Sequence, residues 1–190
     1  MNVTIDSCCD CQDSGFYLTF FLCRIIFILV YVETYGCQMN VNDTEIVVVG
    51  PYDPNFKEVS PKGIGSQGYI SNSDSVLDYI IHFQNIGNYY AQNVVVIDTL
   101  DSDLDITTLR PGYSNKNYIA EVSENGILKF TFNNINLYPQ EWNELLSCGL
   151  VCYSVKQNPS LSPGTQITNS ADIYFDYNSP IKTNTTLNTY

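Results

Sequence analysis

From about residue 50 onward, apolar side chains recur at every second position in short runs, and each run ends in turn chemistry. A period of two places one set of side chains on one face of a strand, and no helix satisfies it. Val76 to Gln84 (VLDYIIHFQ) puts Leu77, Tyr79, Ile81 and Phe83 on one face and Asp78, His82 and Gln84 on the other. Asn85-Ile86-Gly87-Asn88 reads as a turn. Asn93 to Leu100 is apolar on both faces in its first half, as a central strand is. Asn117 to Val122 and Ile127 to Phe132 flank Asn125-Gly126, a hairpin signal because both turn residues tolerate positive φ. Gly149 to Val155, Thr165 to Phe175 and Ile181 to Thr189 read as further strands, and Ile46 to Val49 as a short first one. Asp53-Pro54-Asn55 and Pro163-Gly164 are turns between them.

Strands recurring this often, with no sustained helical period after residue 50, predict an all-β chain. The expected architecture is an antiparallel β-sandwich of about seven or eight strands over residues 46–190. Seven of the eight basic residues and fourteen of the twenty acidic ones fall after residue 50. A net charge of −12 argues against nucleic acid, which needs a basic face. Aromatic residues at 13% and charged residues at only 15% argue against disorder.

Residues 1–45 differ in character. Cys8, Cys9, Cys11, Cys23 and Cys37 fall here, leaving only Cys148 and Cys152 in the sandwich. Phe16 to Val32 is an apolar run of about 17 residues, at the short limit for a membrane helix, with Arg24 at its centre. Its acidic flank is wrong for a signal peptide. Three readings stand: a membrane-inserting or export segment, a pair of buried apolar strands, or an artefact, meaning a wrong start or a piece of a longer chain. The spacing of Cys8, Cys9 and Cys11 lacks the paired pattern of zinc sites. Cys148 and Cys152 share one strand face about 13 Å apart, beyond disulfide reach of each other, so both are expected as free thiols.

Candidate chemistry is sparse. Asp98, Asp101, Asp103 and Asp105 crowd one segment and resemble the start of a calcium loop, since Ca²⁺ takes hard oxygen ligands. Ile106 and Gly112 stand where such a loop has its glycine and bidentate glutamate. A second Ca²⁺ possibility pairs Asp53 and Asn55 with Asp176 and Asn178. No other cofactor is indicated. Trp142, Tyr113 and Tyr118, with Tyr89 and Tyr90, lie in or near loops and are candidate ligand platforms for sugars. The single histidine, His82, gives little material for a hydrolase triad, and no catalytic residue is assigned.

Several stretches together resemble a conserved repeat domain of unknown function from very large secreted proteins of the Bacteroidota. They are Tyr52-Asp53-Pro54-Asn55 with Lys57 and Val59-Ser60-Pro61, then Leu77 to Asp105, Phe130 to Leu137, and Ala171 to Thr185. The resemblance implies an immunoglobulin-like sandwich near the C-terminus of a long surface protein, often before a sorting signal for type IX secretion. It implies no catalytic residues. The chain departs from that pattern in its Cys-rich lead and in stopping at Asn188-Thr189-Tyr190, which leaves open that it is a fragment. The expected function is a non-enzymatic, secreted or cell-surface module that spaces, presents or adheres. Its expected partners are neighbouring domains of a larger protein. The alternative is a carbohydrate- or protein-binding module.

Overall fold

The computed structural model describes residues 16–21, 26–31, 53–71 and 73–190. The chain divides into two compact units, Met1–Pro51 and Tyr52–Tyr190. The Cys-rich start and the strand expected over Ile46 to Val49 lie outside the described residues.

In the first unit, β1 (Phe16–Phe21) and β2 (Ile26–Tyr31) pair antiparallel, with Phe16 opposite Tyr31 and Phe21 opposite Ile26. Within the apolar run, the described residues form a strand pair. Its Phe, Tyr, Ile and Val content has high β-propensity, consistent with that outcome. Among the described residues no helix is long and apolar enough to cross a membrane.

The second unit holds eleven strands among the described residues. They are β3 (Phe56–Ser60), β4 (Val76–Gln84), β5 (Val94–Thr99), β6 (Leu104–Ser114), β7 (Ile119–Val122), β8 (Ile127–Phe132), β9 (Cys148–Gln157), β10 (Gln166–Asn169), β11 (Ala171–Phe175), β12 (Ile181–Lys182) and β13 (Thr186–Thr189). One sheet runs β3-β4-β9-β6 and the other β12-β11-β5-β8-β7, with β10 and β13 paired separately. All strand pairs are antiparallel, and the two larger sheets make an immunoglobulin-like sandwich.

The face expected to point inward on Val76 to Gln84 lies in the core, with faces of four other strands. Leu77, Tyr79, Ile81 and Phe83 of β4 and Val151, Tyr153 and Val155 of β9 are buried on one side. On the other side are Val94 and Val96 of β5, Leu128, Phe130 and Phe132 of β8, and Ala171, Ile173 and Phe175 of β11. Phe83 spans the gap, 5.0 Å from Phe132 and 6.5 Å from Phe175 between ring centroids. Gly126 takes φ +77 in the expected hairpin between β7 and β8.

The count of seven or eight strands is too low for three reasons. The run Thr165 to Phe175 is two strands: β10 pairs with β13, while β11 pairs with β5. Ile181 to Thr189 likewise divides into β12 and β13. β3 and β6 fall on stretches where the sequence pattern predicts no strand. β6 is an edge strand with register shifts against β9 around Arg110 and Pro111, and an edge is where a strand tolerates proline.

Gly149 of β9 makes room for the Phe83 ring. A Cβ built there would lie 2.2 Å from two ring atoms of Phe83, which is itself held between Phe132 and Phe175. Gly149→Ala therefore overpacks the core. The expected loss is about 1–3 kcal/mol in urea unfolding, and an unchanged midpoint would contradict the packing.

Candidate functional site

Two side-chain clusters stand out, one inside the sandwich and one on its surface. Inside, Lys57 of β3 and Asp98 of β5 are the charged residues buried among the described residues. The Lys57 side chain leaves the sheet of β4 and β9, and its Nζ meets Asp98 Oδ2 of the opposite sheet in a direct ion pair. Both side chains are fully shielded from solvent. The Tyr153 hydroxyl joins them: it donates to Asp98 Oδ2 at 2.7 Å and accepts from Lys57 Nζ at 2.9 Å. Asn169 Nδ2 donates to the same hydroxyl at 2.9 Å. Lys57 Nζ also lies 4.6 Å from the Tyr79 ring centroid and 5.3 Å from that of Tyr153.

The main chain of Lys57 is held as firmly as its amine. Its N–H donates to Asn184 Oδ1 at 2.8 Å, and its carbonyl accepts from Asn184 Nδ2 at 3.0 Å. A side-chain amide thus extends the edge of β3 as a neighbouring strand would. Burial pulls the Lys57 amine down to about 8, the desolvation outweighing the attraction of Asp98. Burial, with the nearby Asp98 charge, raises the phenols of Tyr79 and Tyr153. Asp98 Oδ1 and Asn169 Oδ1 have no hydrogen-bond partner among the described residues.

On the surface, Tyr89, Tyr90, Tyr138 and Trp142 pack edge to face. Centroid separations are 5.9 Å for Tyr89 with Trp142, 5.2 Å for Tyr90 with Trp142 and 4.8 Å for Tyr90 with Tyr138. Beside them opens a hollow of about 410 Å³ lined by Tyr89, Tyr90, Gln92, Asn136 and Tyr138. The neighbouring Tyr138 hydroxyl is the main cause that raises the Tyr90 phenol. The loops are pinned from beneath by Asn85, whose Nδ2 donates to the carbonyls of Tyr89 and Leu137.

The residues singled out from sequence meet different fates. Trp142 joins Tyr89 and Tyr90, whereas Tyr113 is exposed on β6 and Tyr118 packs on Phe130 and Phe132. The four aspartates do not converge. Asp98 turns into the core, and Asp101 accepts from the N–H groups of Asp103 and Thr168. Asp105 accepts from the N–H and hydroxyl of Thr107. Asp53 accepts from the Asn55 N–H, and Asp176 from those of Gln92 and Asn93. Among the described residues no group of three or more His, Cys, Asp or Glu is arranged to hold a metal ion. Cys152 is a free, half-buried thiol. Cys148 is not free, so the expectation of two free thiols is corrected at that position.

A family model for a domain of unknown function, DUF7619, matches residues 53–189. The chain belongs to the DUF7619 family. No curated relative matches it. Solved structures similar to this DUF7619 chain include domains D2 and D3 of the major pilin SpaD from Corynebacterium diphtheriae. That likeness has 19% identity and a TM-score of 0.47, covering 70% of this chain and 51% of that one. The C-terminal domain of the Streptococcus pyogenes antigen I/II-family protein AspA gives 14% identity and a TM-score of 0.44, over 72% and 46%. A collagen-binding domain from a Staphylococcus aureus adhesin gives 11% and 0.40, over 71% and 95%. The chain spans about half the length of the first of these structures.

His82 of this DUF7619 domain has a structural place on β4. Its ring stacks on Phe56, 4.2 Å between centroids at 6°, and its Nε2 is buried without a partner among the described residues. Desolvation lowers its pKa from 6.5 to about 4. The unfolded chain thus takes up the proton first as pH falls. The contribution of neutral His82 is full above about pH 6.5 and declines as pH drops towards 4. His82→Phe keeps the stacking and removes the titration. The variant's urea midpoint is expected to fall less than the parent's between pH 6.5 and 4. Equal acid loss in both would refute the assignment.

Proposed function

We propose that the chain is a non-enzymatic β-sandwich module of a secreted or cell-surface protein, spacing, presenting or adhering beside neighbouring domains. The observation that carries this reading is where the polar chemistry lies. Lys57, Asp98, Tyr153 and Asn169 are buried between strands, where they join the sheets and meet no solvent-borne substrate. The open hollow is lined by tyrosines and amides, without a carboxylate or histidine to move a proton. The setting we assign follows the resemblance to Bacteroidota surface repeats, with export by the type IX route.

A second reading, a carbohydrate- or protein-binding module, draws on the aromatic hollow. Rings beside Gln92 and Asn136 offer a stacking surface with amide hydrogen-bonding groups at its edge. The two readings separate on a glycan array and a surface-protein pull-down with the full chain. A module that spaces or presents, or that adheres only to its neighbouring domains, is expected to retain neither free glycan nor a foreign surface protein, with Trp142→Ala indistinguishable from the parent. Retention that falls at least about tenfold in Trp142→Ala would overturn the spacer reading in favour of the second.

A further inference from the structure

The buried pair of Lys57 and Asp98 has the geometry of two reactants. A primary amine and a carboxyl group are in direct contact, both shielded from solvent, at the ends of side chains held by opposite sheets. We propose that they condense to an intramolecular amide, so that the mature domain carries a covalent tie between β3 and β5.

The step balances without an external reagent. A proton passes from the ammonium of Lys57 to Asp98 Oδ2, giving a neutral amine beside a neutral carboxylic acid. The Nζ lone pair attacks Cγ of Asp98. The Nζ–Cγ bond forms, the Cγ–Oδ2 bond breaks, and Oδ2 leaves as water with the acid proton and one amine proton. Oδ1 remains as the amide oxygen. No group is oxidised or reduced. The Tyr153 hydroxyl touches both Nζ and Oδ2, at 2.9 and 2.7 Å, so it can accept a proton from the amine as it passes its own to the leaving oxygen. Asn169 Nδ2, donating to that hydroxyl, fixes its direction.

Four physical factors favour the step and its product. Groups held in contact react with effective molarities of about 10⁵ M and above, which offsets the unfavourable condensation of a free acid and amine in water. An ion pair stripped of solvent carries a large desolvation cost, and an amide has no charge to desolvate. The amine is already drawn by burial towards its neutral, nucleophilic form. Water released in a dry interior has no polar basin to remain in and leaves, so the reverse hydrolysis lacks its reagent.

The test is the mass of the reduced, denatured full chain, followed by proteolysis and fragment sequencing. The expected result is a mass about 18 Da below that of the sequence, one water, with Lys57 joined to Asp98 in a branched peptide. The full sequence mass, with Lys57 and Asp98 in separate linear peptides, would overturn the proposal. A loss of about 17 Da, with Lys57 joined to Asn169, would overturn it too, because ammonia would then be leaving from the neighbouring amide. Lys57→Arg keeps a cation against Asp98 and should show the full sequence mass. Tyr153→Phe leaves both reacting groups and the core ring in place. It should accumulate the product at least about tenfold more slowly after refolding, and an unchanged rate would remove Tyr153 from the step.

Discussion

The side chains of Lys57 and Asp98, each without solvent, meet at the centre of the sandwich between its two sheets. Either group alone at that depth costs several kcal/mol of lost hydration, so each requires the other. The constraint is long-range. Lys57 and Asp98 are 41 residues apart, and their contact exists only if β3 has joined the sheet of β4 while β5 sits in the opposite sheet. The Tyr153 hydroxyl brings in β9, and Asn169 brings in β10. Asn184 fixes the main chain of Lys57 from the loop before β13. One polar cluster therefore fixes the relative placement of elements that the apolar faces alone would bring together with less specificity.

Around that cluster the packing is of the ordinary kind, with aromatic rings of both sheets in contact. Tyr79 stacks on Tyr153, and Phe130 packs on Tyr153 from the opposite sheet. The rings exclude water from the ion pair and present π faces to the ammonium. Farther along β4, Phe83 and Gly149 close the core as a ring over a bare backbone. Beyond it the chain turns into the loops that carry Tyr89, Tyr90 and Trp142.

Much of this fold is legible in the amino-acid order, because a period of two appears wherever one strand face is buried. β4 shows it most plainly, and its inward residues Leu77, Tyr79, Ile81 and Phe83 are the ones the pattern names. The switch between β10 and β11 is hidden because the alternation runs through it unbroken: Ile167, Asn169, Ala171 and Ile173 all stay inward while the pairing partner changes. β6 is hidden because an edge strand takes its pairing from β9 and needs no apolar face of its own. Lys57 in FKEVS looks like any solvated strand lysine, since the partner that makes its burial tolerable comes later in the chain. Asp98 looks like the first of a run of acids, yet it belongs to β5 and turns inward, apart from Asp101, Asp103 and Asp105. A buried Asp following Val94 and Val96 at even spacing was the available signal. Of the aromatic candidates, Trp142 meets Tyr89 and Tyr90 through loop geometry that no local pattern encodes.

The central claim is that Lys57 and Asp98 act as one unit. A double-mutant cycle in urea tests it, with Lys57→Met, Asp98→Leu and the two combined. Each single variant strands one buried group and is expected to lose about 3–5 kcal/mol. The double variant, with neither charge, is expected to lose far less than the sum of the two. Losses that add, within about 0.5 kcal/mol, would contradict the account, because they would mean that the two residues stabilise the sandwich independently.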